Sequence, residues 1–490
     1  MFDVIVVGAG LSGLQAAYSA QQAGLSVAVV EARDRVDGKS WSVPLASGRG
    51  YADLGAAWVN TNTQKRIAEY VRKFDLPMVE QRLVGTAVMQ VSDDQRIEFP
   101  FGITPEELIL AAQFSPEEKK NLESIRDHIQ AVSLRPELPK AEDDNVSLDQ
   151  YVRNLGALPK TIAMINMWAK VMHGVESGDE SAAWFIDYCR RNRGLFSIRA
   201  DDKTGGNFQR FHGGTQQIAN GIAELIGRSN IHLSDAVEHL HTRVTVITTN
   251  NQRFVGTKAI IAIPSAMLRD LNISPPLPRR VREVTDSANL GHYNKAILSY
   301  DKPWCRDLGY NGFFMSYNGP ITLGRDTSVD ETRHFALTCF VNGKMGEEWS
   351  KLYPHERRSA VIKQVARAFN VDENSEAFRP IEVFDQIWKH EKFSKGALAP
   401  ITQIGHFVEY ADVYGKPVGN IHFVGTEYST EWKGYMEGAL CSGEQGAKEV
   451  VEALQKSPRA NLDDGTGFLA TYERRDEALA AYFDNVFNVV

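Results

Sequence analysis

The amino-acid sequence predicts an α/β protein of two or three domains, one organised on a parallel sheet and the rest an α+β mixture of sheet and helices. Three observations carry this expectation. The chain has 490 residues, more than the roughly 250–300 that one hydrophobic core organises. Its opening residues run strand, glycine turn, helix, strand. A block from about residue 80 to 205 then shows helical apolar spacing without strand alternation, and strand patterns return after Gly213.

Taken in order, Asp3 to Val7 (DVIVV) is a run dominated by β-branched residues, as expected of a strand buried on both faces of a parallel sheet. Gly8, Gly10 and Gly13 follow as G-x-G-x-x-G, and Leu11 to Ala23 reads as a helix rich in small residues. The three glycines serve a tight turn, close backbone approach to a pyrophosphate at the helix N-terminus, and close helix–strand packing. A second strand, Ser26 to Val30, ends at Glu31, whose carboxylate can hold a ribose 2′-OH. This is a Rossmann-type dinucleotide site. Glu31 would repel the 2′-phosphate of NADP, but it does not separate NAD from FAD.

The helical block contains EELILAAQF, SPEEKKNLESIRDHIQAV and TIAMINMWAKVMHGV, with Thr104-Pro105 and Ser115-Pro116 as helix starts. A loop and helix follow in FHGGTQQIANGIAELI, then strands in IHLSDAVEHLHTRVTVITTN and TKAIIAIP. Further strands are AILSYD and HFALTCFV, with ERRSAVIKQVARAFN as a helix. The last block, GNIHFVGTEYSTEWKGYMEGALCSGEQGAKEVVEAL, is a strand, a glycine-rich loop and a helix.

Composition bounds the ligand. With 43% hydrophobic, 24% charged and 10% aromatic residues, the chain is globular rather than disordered or fibrous. A net charge of −8 gives no general attraction to nucleic acid or to an anionic membrane, so a small molecule is the expected partner. Cys189, Cys305, Cys339 and Cys441 stand apart without a C-x-x-C pair and read as free thiols. No apolar run is long enough to span a bilayer, no signal or transit peptide opens the sequence, and Asn488-Val489-Val490 is not a peroxisomal tripeptide. A cytoplasmic protein without a membrane span is expected. His239 and His241 share one face of a strand, but no third ligand has suitable spacing, so no metal site is expected. Neither a G-x-S-x-G elbow nor a Walker loop is present.

Several ordered motifs carry a resemblance. They are EARDRVDGKSW with YADLGAAW after the glycine turn, FQRFHGGTQQIANGI, AIIAIPSAML with SPPLP, GHYNKAILSYDKPWC, the Trp388 segment, and FVGTEYSTEWKGYMEGA. In this order the chain resembles the flavin monoamine oxidase family. The resemblance implies FAD as cofactor, a two-dinucleotide-binding FAD domain from residues 1–79, 207–290 and 389–455, and a substrate domain from 80–206 and 291–388, with 456–490 as an extension. It implies oxidative deamination: hydride transfer from an amine to flavin N5, with O2 as acceptor, giving H2O2, an aldehyde or ketone, and ammonia. An amino-acid oxidase, a polyamine oxidase, a desaturase-type flavoprotein and a non-catalytic escort share the fold and stay open as alternatives.

The same resemblance implies residue roles. Lys295 matches the lysine that holds a water against flavin N5. Tyr435 matches one wall of an aromatic cage that lines the amine's approach. Gly8, Gly10, Gly13, Glu31 and Arg33 serve the ADP half, with Val237 as a backbone contact to adenine. Gly425, Thr426 and Met436 serve the flavin half, and Trp388 packs on the isoalloxazine edge.

The chain also departs from the family's pattern. Ala397 stands where the family has a flavin-linked cysteine, so non-covalent FAD is expected, and Leu398 replaces the second cage tyrosine. Asp37 and Lys39 stand for a glycine and an arginine near the pyrophosphate, where lysine keeps the charge but loses bidentate geometry. Arg190, Arg191, Arg193 and Arg199 cluster in an otherwise acidic chain. Such a run is usually a solvated face. The sharper reading is a mouth for an amine bearing carboxylates, such as a polycarboxylated aminopolyol of the fumonisin type. A homodimer is a further expectation.

Overall fold

The computed structural model describes residues 1–100 and 114–456. The chain folds into two compact units, neither of them continuous in sequence. The first takes Met1–Gly38, Ile218–Arg282 and the stretch beginning at Val413; the second takes Lys39–Gln217 and Glu283–Asp412.

The first unit is built on an eight-stranded sheet. Phe2–Val7 lies between Val27–Val30 and Arg253–Ile261, parallel to both, with Ile231–His232 beyond Val27–Val30 and Ile421–Phe423 beside Arg253–Ile261. Val4, Ile5 and Val6 are fully buried, which is why this strand reads as a continuous apolar run rather than an alternating one. Arg253–Ile261 also pairs antiparallel with Thr245–Thr248, which leads to Val237–His241 and Asn272–Ser274. The helices Leu11–Gln22 and Met436–Lys456 cross closely, because a Cβ at Gly443 would stand 2.4 Å from the Ser12 carbonyl oxygen.

The second unit holds a seven-stranded sheet in the order Glu382–Gln386, Tyr293–Tyr300, Phe335–Asn342, Leu323–Asp326, Tyr310–Ser316, Thr86–Gln90, Arg96–Pro100. Neighbours are antiparallel except Tyr310–Ser316 and Thr86–Gln90, which run parallel. One face buries Ala296, Leu298, Leu337, Cys339, Val361 and Val365 in a core. Lys295, one residue out of phase with Ala296, belongs to the other face. Pro116–Ser133 starts as its sequence predicts, with Ser115 and Glu118 forming a capping box and proline in the first turn.

One expectation changes. The block from 80 to 205 is not wholly helical: Thr86–Gln90 and Arg96–Pro100 form a hairpin at the sheet edge. TAVMQ and RIEFP are short strands around the polar tip SDDQ, a turn signal that the helical spacing of the longer block outweighed. The compact units change over after Gly38, Gln217, Arg282 and Asp412. Residues 39–79 pack with the second unit, where Trp58–Val59 pairs with Gln209–Phe211. Ala397–Ile401 joins it by pairing with Asn289–Gly291. The helix start at Thr104-Pro105, most of EELILAAQF and the C-terminal extension lie outside the described residues. Among the described residues, no helix is long and apolar enough to cross a membrane.

Candidate active site

The glycine turn is tightly folded at two of its three glycines. Gly8 has φ +102°, a conformation L side chains rarely adopt, and a Cβ at Gly13 would stand 2.0 Å from the Gly8 carbonyl oxygen. Gly10 differs from both: a Cβ there would meet nothing within 4 Å. Gly10 is also the N-cap of Leu11–Gln22, which has no side-chain cap and no acidic residue in its first turn. Open space at an uncapped helix N-terminus fits the pyrophosphate of a dinucleotide.

Glu31 is buried, and its two carboxylate oxygens accept from Ala9 N at 2.7 Å and Arg33 N at 2.8 Å. It therefore ties the glycine turn to the end of the second strand. Each oxygen can accept a second hydrogen bond, so the ribose role predicted for it fits. Arg33 is half-buried and its carbonyl accepts from Ser234 N. Val237 opens the strand Val237–His241 and pairs with Thr248.

In the same unit, Gly425, Thr426, Tyr435 and Met436 are drawn together. Thr426 Oγ1 donates to the Tyr435 carbonyl at 2.9 Å and accepts from Gly434 N at 2.7 Å. Gly425 N donates to Ser442 Oγ at 3.0 Å. Tyr435 is half-buried immediately before the helix that Met436 begins, and its ring meets Trp432 edge-on with centroids 5.2 Å apart.

The second unit positions Lys295. Its side chain is 4% exposed, and its Nζ donates to the backbone carbonyls of Asp53, at 2.9 Å, and Gly55. The ammonium lies 5.3 Å from the Trp58 ring centroid and 5.4 Å from that of Phe340. Burial brings its pKa down to about 8, with Asp53 holding it up and Arg210 pressing it further down. Asp53 is half-buried, and desolvation raises its carboxyl pKa, against the hydrogen bond from Ser42 Oγ at 2.6 Å and that from Thr215 N at 3.0 Å.

Asp53 and Gly55 stand in the D-L-G-A-A-W motif, yet their support of the lysine is invisible in sequence because it runs through backbone carbonyls some 240 residues away. Gly55 is obligatory there: a Cβ would stand 1.8 Å from the Lys39 carbonyl oxygen. Trp388 is buried, and its indole N–H donates to the Leu54 carbonyl at 3.0 Å, bracing the same segment.

Ala397 and Leu398 begin the strand Ala397–Ile401. Leu398 has φ +62°, and its carbonyl accepts from Lys39 Nζ at 2.5 Å. The ammonium of Lys39 thus secures a left-handed residue in the strand. Asp37 has φ +95° and is buried, so an aspartate occupies the glycine conformation that the family pattern supplies with glycine.

Two members of the arginine run are engaged within their own helix. Arg190 and Arg191 both pair with the fully buried Asp187 of their own helix at 2.7 Å. Arg193 is exposed and donates to the Thr63 carbonyl. The side chain of Arg199 lies outside the description.

Residues 11–451 match the family described as flavin containing amine oxidoreductase. The chain is 28% identical over 470 residues to a probable flavin-containing monoamine oxidase A of Dictyostelium discoideum, covering 93% of this chain and 99% of that one. It is 28% identical over 469 residues to amine oxidase [flavin-containing] B of Homo sapiens, covering 94% and 88%. Among solved structures, a putrescine oxidase bound to putrescine superposes with a TM-score of 0.83 at 24% identity, covering 92% and 99%. A cyclohexylamine oxidase from Brevibacterium oxydans superposes at 0.84 and 23%, covering 93% and 100%. These two show the likeness of fold.

Proposed function

The chain belongs to the flavin-containing amine oxidoreductase family, an FAD-dependent amine oxidase, and from that premise we propose that it deaminates a primary amine, with Lys295 and Tyr435 each taking the role that the family's motif gives it. Bound FAD supplies the redox chemistry: one primary amine, one O2 and one H2O become one aldehyde or ketone, one NH3 and one H2O2.

The chain's own residues hold and orient. The open N-terminus at Gly10 takes the pyrophosphate, Glu31 takes a ribose hydroxyl, and Arg33 and Val237 flank the ADP half. Gly425, Thr426 and Met436 hold the flavin half, where the N-terminus of the helix begun by Met436 favours negative charge. Trp388 and Lys39 fix the segments carrying Leu54 and Leu398. Ala397 offers no thiol, so FAD is held non-covalently.

The observation that carries this reading is Lys295, a buried cation clasped by two carbonyls and two aromatic rings. With its pKa near 8, it can carry or release a proton close to neutral pH. The amine must be unprotonated to lose hydride, so turnover rises with pH through the substrate's own amine pKa.

A peroxide-coupled assay of the purified holoprotein over neutral, cationic and carboxylated amines, with stopped-flow flavin spectra, tests this. Lys295→Met should slow flavin reduction or reoxidation roughly 10²-fold, and unchanged rates would remove Lys295 from the site. Acid precipitation should release the flavin into the supernatant; flavin retained in the pellet would contradict non-covalent binding.

A further inference from the structure

Arg325 shares the sheet face of Lys295. Leu323 pairs with Phe340, and Phe340 with Lys295; one pleat along, Arg325 pairs with Thr338, and Thr338 with Ile297. The guanidinium lies 5.5 Å from the Trp58 ring centroid and 5.8 Å from that of Phe313. Lys295 and Arg325 are therefore two cations within 6 Å of one indole.

Arg325 Nη1 donates to Asp201 Oδ1 at 2.6 Å, with side chains 11% and 7% exposed. Among the described residues, no acceptor takes the Nε and Nη2 hydrogens of Arg325, so its fork keeps donors on a face walled by Trp58, Phe313 and Phe340. Arginine donors arranged on aromatic walls suit a carboxylate and repel a second ammonium.

We propose that Arg325 is a specificity-determining residue, selecting amines whose tail carries a carboxylate and rejecting diamines. The inference rests on the assignment of Lys295 to the reacting centre. It sets this chain apart from the putrescine oxidase of similar fold, whose bound diamine carries two amino groups.

The test uses holoenzyme and matched series from butyl to octyl: n-alkylamines, ω-amino acids and α,ω-diamines. At the best length, the wild type should give the ω-amino acid a kcat/KM at least about tenfold above the alkylamine, and the diamine one below it. Removing Arg325 alone would strand the buried Asp201, so the informative variant is R325M/D201N, checked by flavin content. In it, the ratio of ω-amino acid to alkylamine should fall to near unity, while R325K should keep the order with a smaller ratio. A wild type that prefers the diamine, or a double variant that keeps the wild-type ratio, overturns the proposal.

Hexanoate titration by calorimetry reads the contact without turnover. Equal affinity in wild type and double variant also overturns the proposal. If the wild type oxidises no amine while hexanoate binding is still lost in the double variant, the amine-oxidase reading fails and the anion contact stands.

Discussion

Asp37 holds a backbone conformation of φ +95° where the family pattern places glycine, and its carboxylate is buried beside the turn that would take the pyrophosphate. Its amide donates to the Ala9 carbonyl at 2.8 Å, and a Cβ at the next residue, Gly38, would lie 3.5 Å from Gly10 Cα. A non-glycine residue at such an angle costs about 1–3 kcal/mol, and a buried acid opposes a phosphate. Asp37→Gly should therefore raise the thermal midpoint and tighten FAD, read by fluorescence titration of the apoprotein; weaker FAD binding would show that the carboxylate does useful work. The sequence exposed this substitution but not its strain. Lys295 and Glu31 were likewise legible as residues, whereas the carbonyls of Asp53 and Gly55 and the left-handed Leu398 were not. Motif spacing reports side chains along the chain, and these contacts are made by backbone brought together from distant segments.

At the level of elements, the placement of the helix Leu11–Gln22 is set by the helix it lies against. Gly443 of Met436–Lys456 has no room for a Cβ, with the Ser12 carbonyl at 2.4 Å and Gln15 Cβ at 2.7 Å. Gly443→Ala should push the helices apart, cost about 1–3 kcal/mol by overpacking, and lower the FAD content as purified. Gly178→Ala, where a Cβ meets nothing within 4 Å, is the matched control. Equal thermal midpoints for the two variants would remove the crossing as a determinant of cofactor binding. Helices and buried strands were legible from their periodicity, as Pro116–Ser133 and Phe2–Val7 demonstrate. The hairpin of Thr86–Gln90 and Arg96–Pro100 was not, because five-residue strands inside a long helical block carry too few periods to stand out. The pairing of Trp58–Val59 with Gln209–Phe211 likewise joins segments that no local pattern connects.

For the molecule as a whole, Lys295 links the site to the pH dependence of folding. Its folded pKa, about 8, lies below the 10.5 of the unfolded chain. A lowered lysine pKa means that the unfolded chain binds the proton more tightly, so the native state bears a penalty that is fully present below pH 8. By linkage this is about 3 kcal/mol, and it is relieved as pH rises from about 8 towards 10.5. Buried thiols act in the opposite sense: burial pushes Cys305 up to about 12 and Cys339 higher than its ordinary value. These thiols ionise first in the unfolded chain, and stability is lost above roughly pH 8.5–9 on their account. The wild-type curve alone therefore mixes two trends, and comparison with Lys295→Met separates them. Urea midpoints measured on both proteins from pH 7 to 9.5 should show the wild type gaining on the variant only above about pH 8. Absolute stabilities do not decide the matter, because the methionine leaves the Asp53 and Gly55 carbonyls without their donor. A difference between the two proteins that stays flat across that range would mean that Lys295 is not held as a destabilised cation, and its near-neutral proton would no longer be available to the reaction.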